Sequence, residues 1–188
     1  MKKIIAVAGN AAVPQDSVNY KLAFDTGKAI IDNGYRLQCG GLDGVMKAAC
    51  MGARSSDKYR EGDIIGLLPS FDPSTANEYV DVVIPTGLDV FRNVIVASAS
   101  AVIAVGGGAG TLSEIANAWA LQRLVLGYKN AEGWSAKLAD TRLDTRNRYP
   151  DIPEDRFYGV SSAEEALEII NKYLPRYDRY HKGITPNA

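Results

Sequence analysis

The sequence predicts an α/β fold, a doubly wound parallel sheet in a single domain, and three observations support it. The chain has 188 residues, the usual size of one domain, and 46% of them are hydrophobic, enough for one sizeable core. Short runs rich in Val, Ile and Leu, without polar alternation, are typical of strands buried on both faces. Helical patterns separate these runs, as the crossovers between parallel strands require.

Strands and helices are predicted in alternation along the chain. The predicted strands are Ile4–Ala8, Arg36–Cys39, Ile64–Leu68, Val80–Ile84, Ala101–Val105 and Arg123–Leu126. The predicted helices are Asp16–Asn33, Gly44–Arg54, Leu88–Ser98, Thr111–Gln122 and Ala163–Tyr173. The first helix ends at Asn33-Gly34, a usual stop, and the last carries Glu164 and Glu165 near its positive end.

The remaining segments lack periodicity. The polar stretches Ser55–Gly62 and Tyr128–Pro153 are interpreted as solvated loops, with a lid or a subunit contact as the alternative. The domain is expected to span residues 1–174, and residues 175–188 to form a polar tail. His181, the single histidine, lies in that tail, so a Ser-His-Asp or Cys-His catalytic unit is not expected.

Composition excludes several classes of protein. The formal net charge is -1, so no overall positive field attracts nucleic acid or anionic lipid. The first apolar run is broken at Gly9, too early for a signal peptide, and no apolar run is long enough to span a membrane. The two cysteines, Cys39 and Cys50, fit neither zinc-ligand spacing nor a disulfide scaffold. We therefore expect a cytoplasmic protein without a metal site.

The strongest motif is a strand, a glycine cluster and a helix within residues 101–119. Gly107, Gly108 and Gly110 let the backbone approach a ligand and direct N–H groups towards it, and the positive helix end favours an anion such as phosphate. Thr111 adds a hydroxyl and is expected to cap the helix. The cluster matches neither the Walker loop nor the dinucleotide fingerprint. The alternative is a tight turn that binds nothing.

Two further turns are expected at the same edge of the sheet. Gly40 and Gly41 follow the second strand, with Met46 in the next helix, and Gly9 and Asn10 follow the first strand. In doubly wound sheets the ligand binds at this edge, at the switch point of strand order. For the second turn the alternative is purely structural, with Met46 in the core.

Arg92 and Glu114 complete the candidate site. Arg92 precedes the glycine strand, and Glu114 lies three residues after Thr111, in the predicted first turn of the helix. A carboxylate at that place serves to cap the helix, to bind ribose hydroxyls or to orient a water molecule against an anomeric carbon. Because Arg92 and the glycines accompany it, ligand contact is preferred over capping.

These motifs resemble those of one family. Residues 40–46, Gly-Gly-Leu-Asp-Gly-Val-Met, and residues 107–114, Gly-Gly-Ala-Gly-Thr-Leu-Ser-Glu, resemble the GGxxGxM and PGGxGTxxE motifs of the LONELY GUY family, once named "possible lysine decarboxylases". The resemblance implies a Rossmann-like fold and a phosphate site at the motif glycines and Thr111. It also implies catalysis by Glu114 and Arg92 in phosphoribohydrolases, which cleave nucleoside 5′-monophosphates at the N-glycosidic bond.

The sequence departs from those enzymes in three ways. Gly106 replaces the proline of the motif, Asn93 follows Arg92 where the enzymes carry lysine, and the spacing from the arginine to the glycines is one residue shorter. With these departures the chain is more similar to the molybdenum cofactor carrier proteins, which bind a phosphorylated pterin. A carrier of a phosphorylated nucleotide or pterin, such as molybdenum cofactor, is therefore expected first. A phosphoribohydrolase acting on a nucleoside monophosphate and a nucleotide-sensing module are the alternatives.

A homo-oligomer, a dimer or a tetramer, is the other expected partner. The segment Ile115–Leu121 is apolar nearly all round and carries Trp119, and Val90–Ala104 is apolar on most faces. Similar proteins form such oligomers. The alternative is a monomer in which Tyr128–Pro153 folds back over these helices.

Overall fold

The structure, a computed structural model, describes residues 1–177 and contains one sheet of seven parallel strands. The strands are β1 (Ile4–Gly9), β2 (Arg36–Cys39), β3 (Ile64–Leu68), β4 (Val82–Pro85), β5 (Ala101–Val105), β6 (Leu124–Tyr128) and β7 (Tyr158–Val160). Their order across the sheet is β4-β3-β2-β1-β5-β6-β7. The predicted α/β fold with a parallel sheet is confirmed.

Helices cover both faces of the sheet. Within residues 1–177 they are α1 (Val18–Asp32), α2 (Val45–Arg54), α3 (Asn93–Ala97), α4 (Ala109–Ala120), α5 (Trp134–Leu138) and α6 (Ala163–Tyr177). Strand β1 faces two cores: Ile5 and Val7 pack with α1, α2 and α6, whereas Ala6 and Ala8 pack with α3 and α4. Because successive side chains alternate between two buried faces, the strand has no polar positions.

Strand β1 lies at the switch point of the sheet. The chain adds β2, β3 and β4 outward on one side of β1, then returns to place β5 on the other side. The last pair between β1 and β5 joins Gly9 to Val105. The loops that follow β1, β2 and β5 therefore meet at one edge, which is where doubly wound sheets bind ligands.

The predicted helix Leu88–Ser98 is wrong as a single helix. It consists of a 3-10 turn, Asp89–Arg92, followed by the short α3. Asp89 has a left-handed backbone, with φ of 49°, so a regular helix cannot run through it. Strand β4 also begins two residues later than predicted, at Val82.

The stretch Tyr128–Pro153, predicted as a loop, contains helix α5, and the three-residue strand β7 was not predicted. Both elements are too short for a periodic pattern to emerge. The stretch folds back over α4, because the guanidinium of Arg148 lies 3.5 Å from the ring centroid of Trp119.

The last described helix is longer than predicted. Helix α6 continues to Tyr177, with Pro175 inside it, so residues 175–177 of the predicted tail are helical. The rest of that tail, including His181, lies outside the described residues. In the part of the chain that the structure describes, no helix combines the length and apolar character that a membrane crossing requires.

Candidate functional site

The turn between β5 and α4 depends on two glycines with left-handed backbone. Gly106 has φ of 66° and Gly107 has φ of 97°, and a Cβ on Gly107 would lie 2.3 Å from the side chain of Thr111. The N–H of Gly107 donates to Asn10 Oδ1 at 2.8 Å, and the N–H of Gly106 donates to Ser135 Oγ at 2.8 Å. These two donors are used inside the protein, so they fix the turn.

The first turn of α4 is open. Gly108, Ala109 and Gly110 are exposed, and a Cβ on Gly108 or Gly110 would meet no atom within 4 Å. The helix begins at Ala109 with Gly108 as its N-cap, and no side chain caps it. The predicted capping by Thr111 is therefore wrong, since the helix starts two residues before it. The positive end of α4 faces free space, where an anion is favoured.

Arg92 and Glu114 meet in a buried ion pair. Nη1 of Arg92 donates to Oε1 of Glu114 at 3.0 Å, and both side chains are buried. The guanidinium lies directly over Gly40, where a Cβ would come within 2.6 Å of Nη2. Nε of Arg92 is buried without a hydrogen-bond partner in the described chain. The pair thus retains unused hydrogen-bonding capacity.

Burial changes the acidity of Glu114. Desolvation raises the pKa of this carboxyl to about 7, although the nearby charge and hydrogen bond of Arg92 act to lower it. Glu114 lies in the second turn of α4 rather than the first, and its carboxylate accepts from Arg92 rather than from helix N–H groups. The capping interpretation of Glu114 is therefore wrong. A carboxyl with a pKa near neutrality can exchange a proton at physiological pH.

Asn93 has a positioning role that the sequence analysis missed. Its Nδ2 donates to Ser113 Oγ at 2.7 Å and lies 3.4 Å from the carbonyl oxygen of Gly110. Asn93 therefore ties the beginning of α3 to the first turn of α4, beside the Arg92–Glu114 pair. The indication in the sequence was its position directly after Arg92.

The turn between β2 and α2 packs against the loop after β1. Gly41 and Gly44 have φ of 74° and 62°, and a Cβ on Gly44 would lie 2.4 Å from the carbonyl oxygen of Asn10. The N–H of Val45 donates to that same oxygen at 2.9 Å. Met46 is buried in the core, as the purely structural alternative for this turn predicted. It also borders the cavity described next.

A cavity of about 280 Å³ lies at this edge of the sheet. It brings together most of the residues that the sequence singled out: Gly9, Asn10, Met46, Arg92, Gly108, Gly110, Thr111 and Glu114. Gly40, Gly41 and Gly107 do not line it and instead form the turns behind it. Leu42 and Asn93 complete the wall. A second cleft of about 510 Å³ adjoins it across Ala11.

The described residues hold no group of three or more His, Cys, Asp and Glu side chains that could bind a metal ion. The polar side chains of the cavity are instead the hydroxyl of Thr111, the amides of Asn10 and Asn93, and the Arg92–Glu114 pair. Such a set suits an organic anion better than a bare cation.

Comparison with known proteins gives consistent matches. The model of the SLOG cluster4 family matches residues 2–152. An uncharacterized protein of Archaeoglobus fulgidus is 38% identical over 115 residues, which make up 61% of this chain and 73% of that protein.

Two solved structures share the fold over nearly the whole chain. The molybdenum cofactor binding protein from Rippkaea orientalis is 32% identical, with a TM-score of 0.72, over 93% of this chain and 98% of that one. The Moco carrier protein from Chlamydomonas reinhardtii is 26% identical, with a TM-score of 0.72, over 94% of this chain and 99% of that one.

Proposed function

The chain belongs to the SLOG cluster4 family, and on that premise we propose that it binds a phosphorylated pterin-type cofactor or nucleotide as a carrier. The predicted resemblance to the LONELY GUY superfamily, and within it to molybdenum cofactor carriers, is confirmed by the family match and the structural neighbours. The observation that carries the proposal is the open first turn of α4 beside a buried arginine.

The phosphate of the ligand is assigned to the first turn of α4. Gly108 and Gly110 leave room there, and Thr111 supplies a hydroxyl at the cavity wall. Helix N–H groups without a side-chain cap, together with the helix dipole, stabilise a dianion at such a place. The other end of the ligand would extend past Asn10 and Met46.

The residues present fit molybdenum cofactor. Its phosphate arm matches the turn, and Arg92 borders the space for the pterin. Because the described residues offer no cluster of metal ligands, the metal would remain on the cofactor's own sulfur atoms. When bound, the cofactor supplies redox chemistry for a recipient enzyme, while this chain holds and shields it.

A phosphoribohydrolase is the second candidate, and one observation favours it. The pKa of Glu114 near 7 gives a carboxyl that can take or release a proton at neutral pH, in a cavity that also holds the proposed phosphate turn. Such a group could position water against the anomeric carbon of a nucleoside monophosphate. Release of free base separates this activity from carriage.

Gly110→Ala tests the phosphate site. Alanine fits the helix and removes no contact, so folding stability should stay equal or rise by up to about 1 kcal/mol. The added methyl group occupies the proposed anion position, so the affinity for AMP, measured by calorimetry, should fall at least tenfold. Asn117→Ala, on the same helix but outside the cavity, is the matched control and should bind normally.

Two further measurements complete the test. Native mass spectrometry of freshly purified protein should show a retained phosphorylated ligand, and chromatography of AMP incubations should show no free adenine. Unchanged AMP affinity in Gly110→Ala would place the anion elsewhere. If the wild type releases adenine and Glu114→Gln does not, the protein is a hydrolase rather than a carrier.

Of the two apolar segments predicted to form the homo-oligomer, the proposed surface keeps Val90–Ala104 and leaves out Ile115–Leu121. Trp119 is covered by Arg148 of its own chain, as in the alternative in which the stretch 128–153 folds back. Five of the exposed apolar residues lie close together along the chain, before and within α3: Leu88, Val90, Phe91, Val94 and Ile95. Such a concentration of exposed apolar side chains favours an interaction site.

Light scattering tests this assembly. The wild-type protein should have the mass of at least two chains, and Phe91→Ser should shift it towards one chain, since Phe91 is 77% exposed. Val18→Ser removes an exposed apolar side chain from α1 and should leave the mass unchanged. A single-chain mass for the wild type at rising concentration would end the proposal.

A further inference from the structure

Two buried cysteines lie side by side behind the candidate site. Cys39 is the last residue of β2, and Cys50 lies on α2. Their Sγ atoms are 3.6 Å apart, both residues are fully buried, and both are free thiols. They are the only cysteines of the chain.

The surroundings of the two sulfur atoms differ. The N–H of Gly41 donates to Cys39 Sγ at 3.3 Å, whereas Cys50 Sγ has, apart from Cys39, the more distant amide of Asn77 at 3.9 Å. The hydrogen bond with the Cys50 thiol lowers the pKa of Cys39; the Gly41 N–H and the charge of Arg92 act in the same direction, and burial and the charge of Glu114 oppose them. Burial and the neighbouring Cys39 raise the pKa of Cys50. Cys39 is therefore the nucleophile of the pair.

We propose that Cys39 and Cys50 are a modification site that forms a reversible intramolecular disulfide when a hydroperoxide reaches it. Because neither sulfur atom is exposed, an oxidant must be small to reach them. The proposal depends on the sulfur geometry alone and is independent of the ligand assigned above.

The reaction balances in two steps. The Cys39 thiolate attacks one oxygen of hydrogen peroxide, the O–O bond breaks, and hydroxide leaves to become water, which gives a sulfenic acid. The sulfur of Cys50 then attacks the Cys39 sulfur, the S–O bond breaks, and a second water leaves with the Cys50 proton. Two thiols are oxidised to one disulfide, and one peroxide is reduced to two waters.

Formation of the disulfide would affect residues in the wall of the cavity. A disulfide holds its sulfur atoms about 2 Å apart, so the side chains of Cys39 and Cys50 must move closer together than their present 3.6 Å. Gly40 follows Cys39, and a Cβ on it would already lie within 2.6 Å of Arg92 and 2.7 Å of Met46 Sδ. The turn thus has little free space, and its displacement presses on Arg92.

Peptide mapping tests the proposal directly. Purified full-length protein is treated with hydrogen peroxide, unfolded, alkylated with N-ethylmaleimide and digested with trypsin. Cleavage after Arg36, Lys47 and Arg54 places Cys39 in the peptide 37–47 and Cys50 in the peptide 48–54. We expect these two peptides to be linked, with nearly complete loss of both alkylated thiols, and dithiothreitol to restore both.

Cys50→Ser is the control. Without the second sulfur, Cys39 should be trapped as its sulfenic acid by dimedone, and no intramolecular link can form. Cys50→Ala replaces it if the serine variant does not fold. The proposal is overturned if both wild-type cysteines remain alkylated after peroxide treatment, or if both reach the sulfinic acid with no linked peptide.

Discussion

Helix α4 has a buried arginine–carboxylate pair near each end, and the two pairs differ in how completely they are bonded. Arg148 and Asp155 lie beside the C-terminal end, and Arg92 and Glu114 lie nearer the N-terminal end. Both arginines carry their charge in the interior, where an unpaired charge is costly. Only the second pair borders the cavity.

The Arg148–Asp155 pair is closed, meaning that its polar atoms are occupied by hydrogen bonds within the protein. Nε and Nη2 of Arg148 donate to the two carboxylate oxygens at 3.0 and 2.6 Å, and Nη1 donates to the carbonyl oxygens of Trp119 and Arg123. The hydroxyl of Tyr177 donates to Asp155 at 2.7 Å. A bidentate pair with further hydrogen bonds has little capacity left for a ligand. It fastens the stretch after β6 to the end of α4.

The Arg92–Glu114 pair is open. It has one hydrogen bond, its Nε has no partner in the described chain, and its carboxyl has a pKa raised to about 7. Buried polar groups are normally satisfied, so the missing bonds agree with the ligand contact proposed above. On that proposal the two buried ion pairs have different tasks, fastening for one and ligand recognition for the other.

Arg148→Ala should have the largest effect on stability. It leaves the Asp155 carboxylate buried without its partner and removes the guanidinium from Trp119, so the free energy of unfolding should fall by about 3–5 kcal/mol. Urea unfolding followed by far-UV circular dichroism measures it. A loss below about 1 kcal/mol would show that the closed pair does not fasten the fold.

The same contrast shows where sequence reasoning succeeds. The glycine turn, Thr111 and Glu114 lie in one continuous segment, so their pattern is visible without a structure, and the parallel order of β1 and β5 follows from buried runs and crossovers. Arg148 and Asp155 occur in a polar stretch with no periodicity. Their environment depends on how this stretch packs against Trp119 of α4 and Tyr177 of α6, which no local pattern encodes.

The predicted starts of two helices were also wrong. Thr111 has the side chain of a good cap, yet Gly108 takes that position, because the positive φ of Gly106 and Gly107 turns the chain into the helix earlier. Asp89 likewise prevents a regular helix from starting at Leu88, because its backbone is left-handed. Both outcomes depend on tertiary contacts that override propensity.

Glu114→Gln should change how stability depends on pH. In the unfolded chain this carboxyl titrates near 4.5, and in the folded protein near 7. Between these values the native state keeps a proton that the unfolded state has lost, so rising pH favours unfolding. Relative to Glu114→Gln, the wild type should therefore lose up to about 3 kcal/mol between pH 4.5 and 7.

Paired urea titrations at several pH values measure this difference, and comparison of the two proteins cancels the contribution of all other groups. A constant difference between them across that range would mean that the Glu114 carboxyl is not desolvated in the folded state. The open pair would then resemble a surface pair.

Arg146→Ala should have the smallest effect, and it tests whether burial explains the ranking. Arg146 pairs with Asp144 through both Nε and Nη2, which donate to the same oxygen, Oδ2, at 2.9 and 2.5 Å, so it also makes two short hydrogen bonds to its carboxylate. Its side chain is 50% exposed, whereas that of Arg148 is 2% exposed. Water screens the exposed pair and can hydrate the carboxylate once the arginine is gone. The free energy of unfolding should therefore change by no more than about 0.5 kcal/mol in the same urea assay. A loss as large as that of Arg148→Ala would mean that bond geometry, not burial, separates the fastening pair from the others.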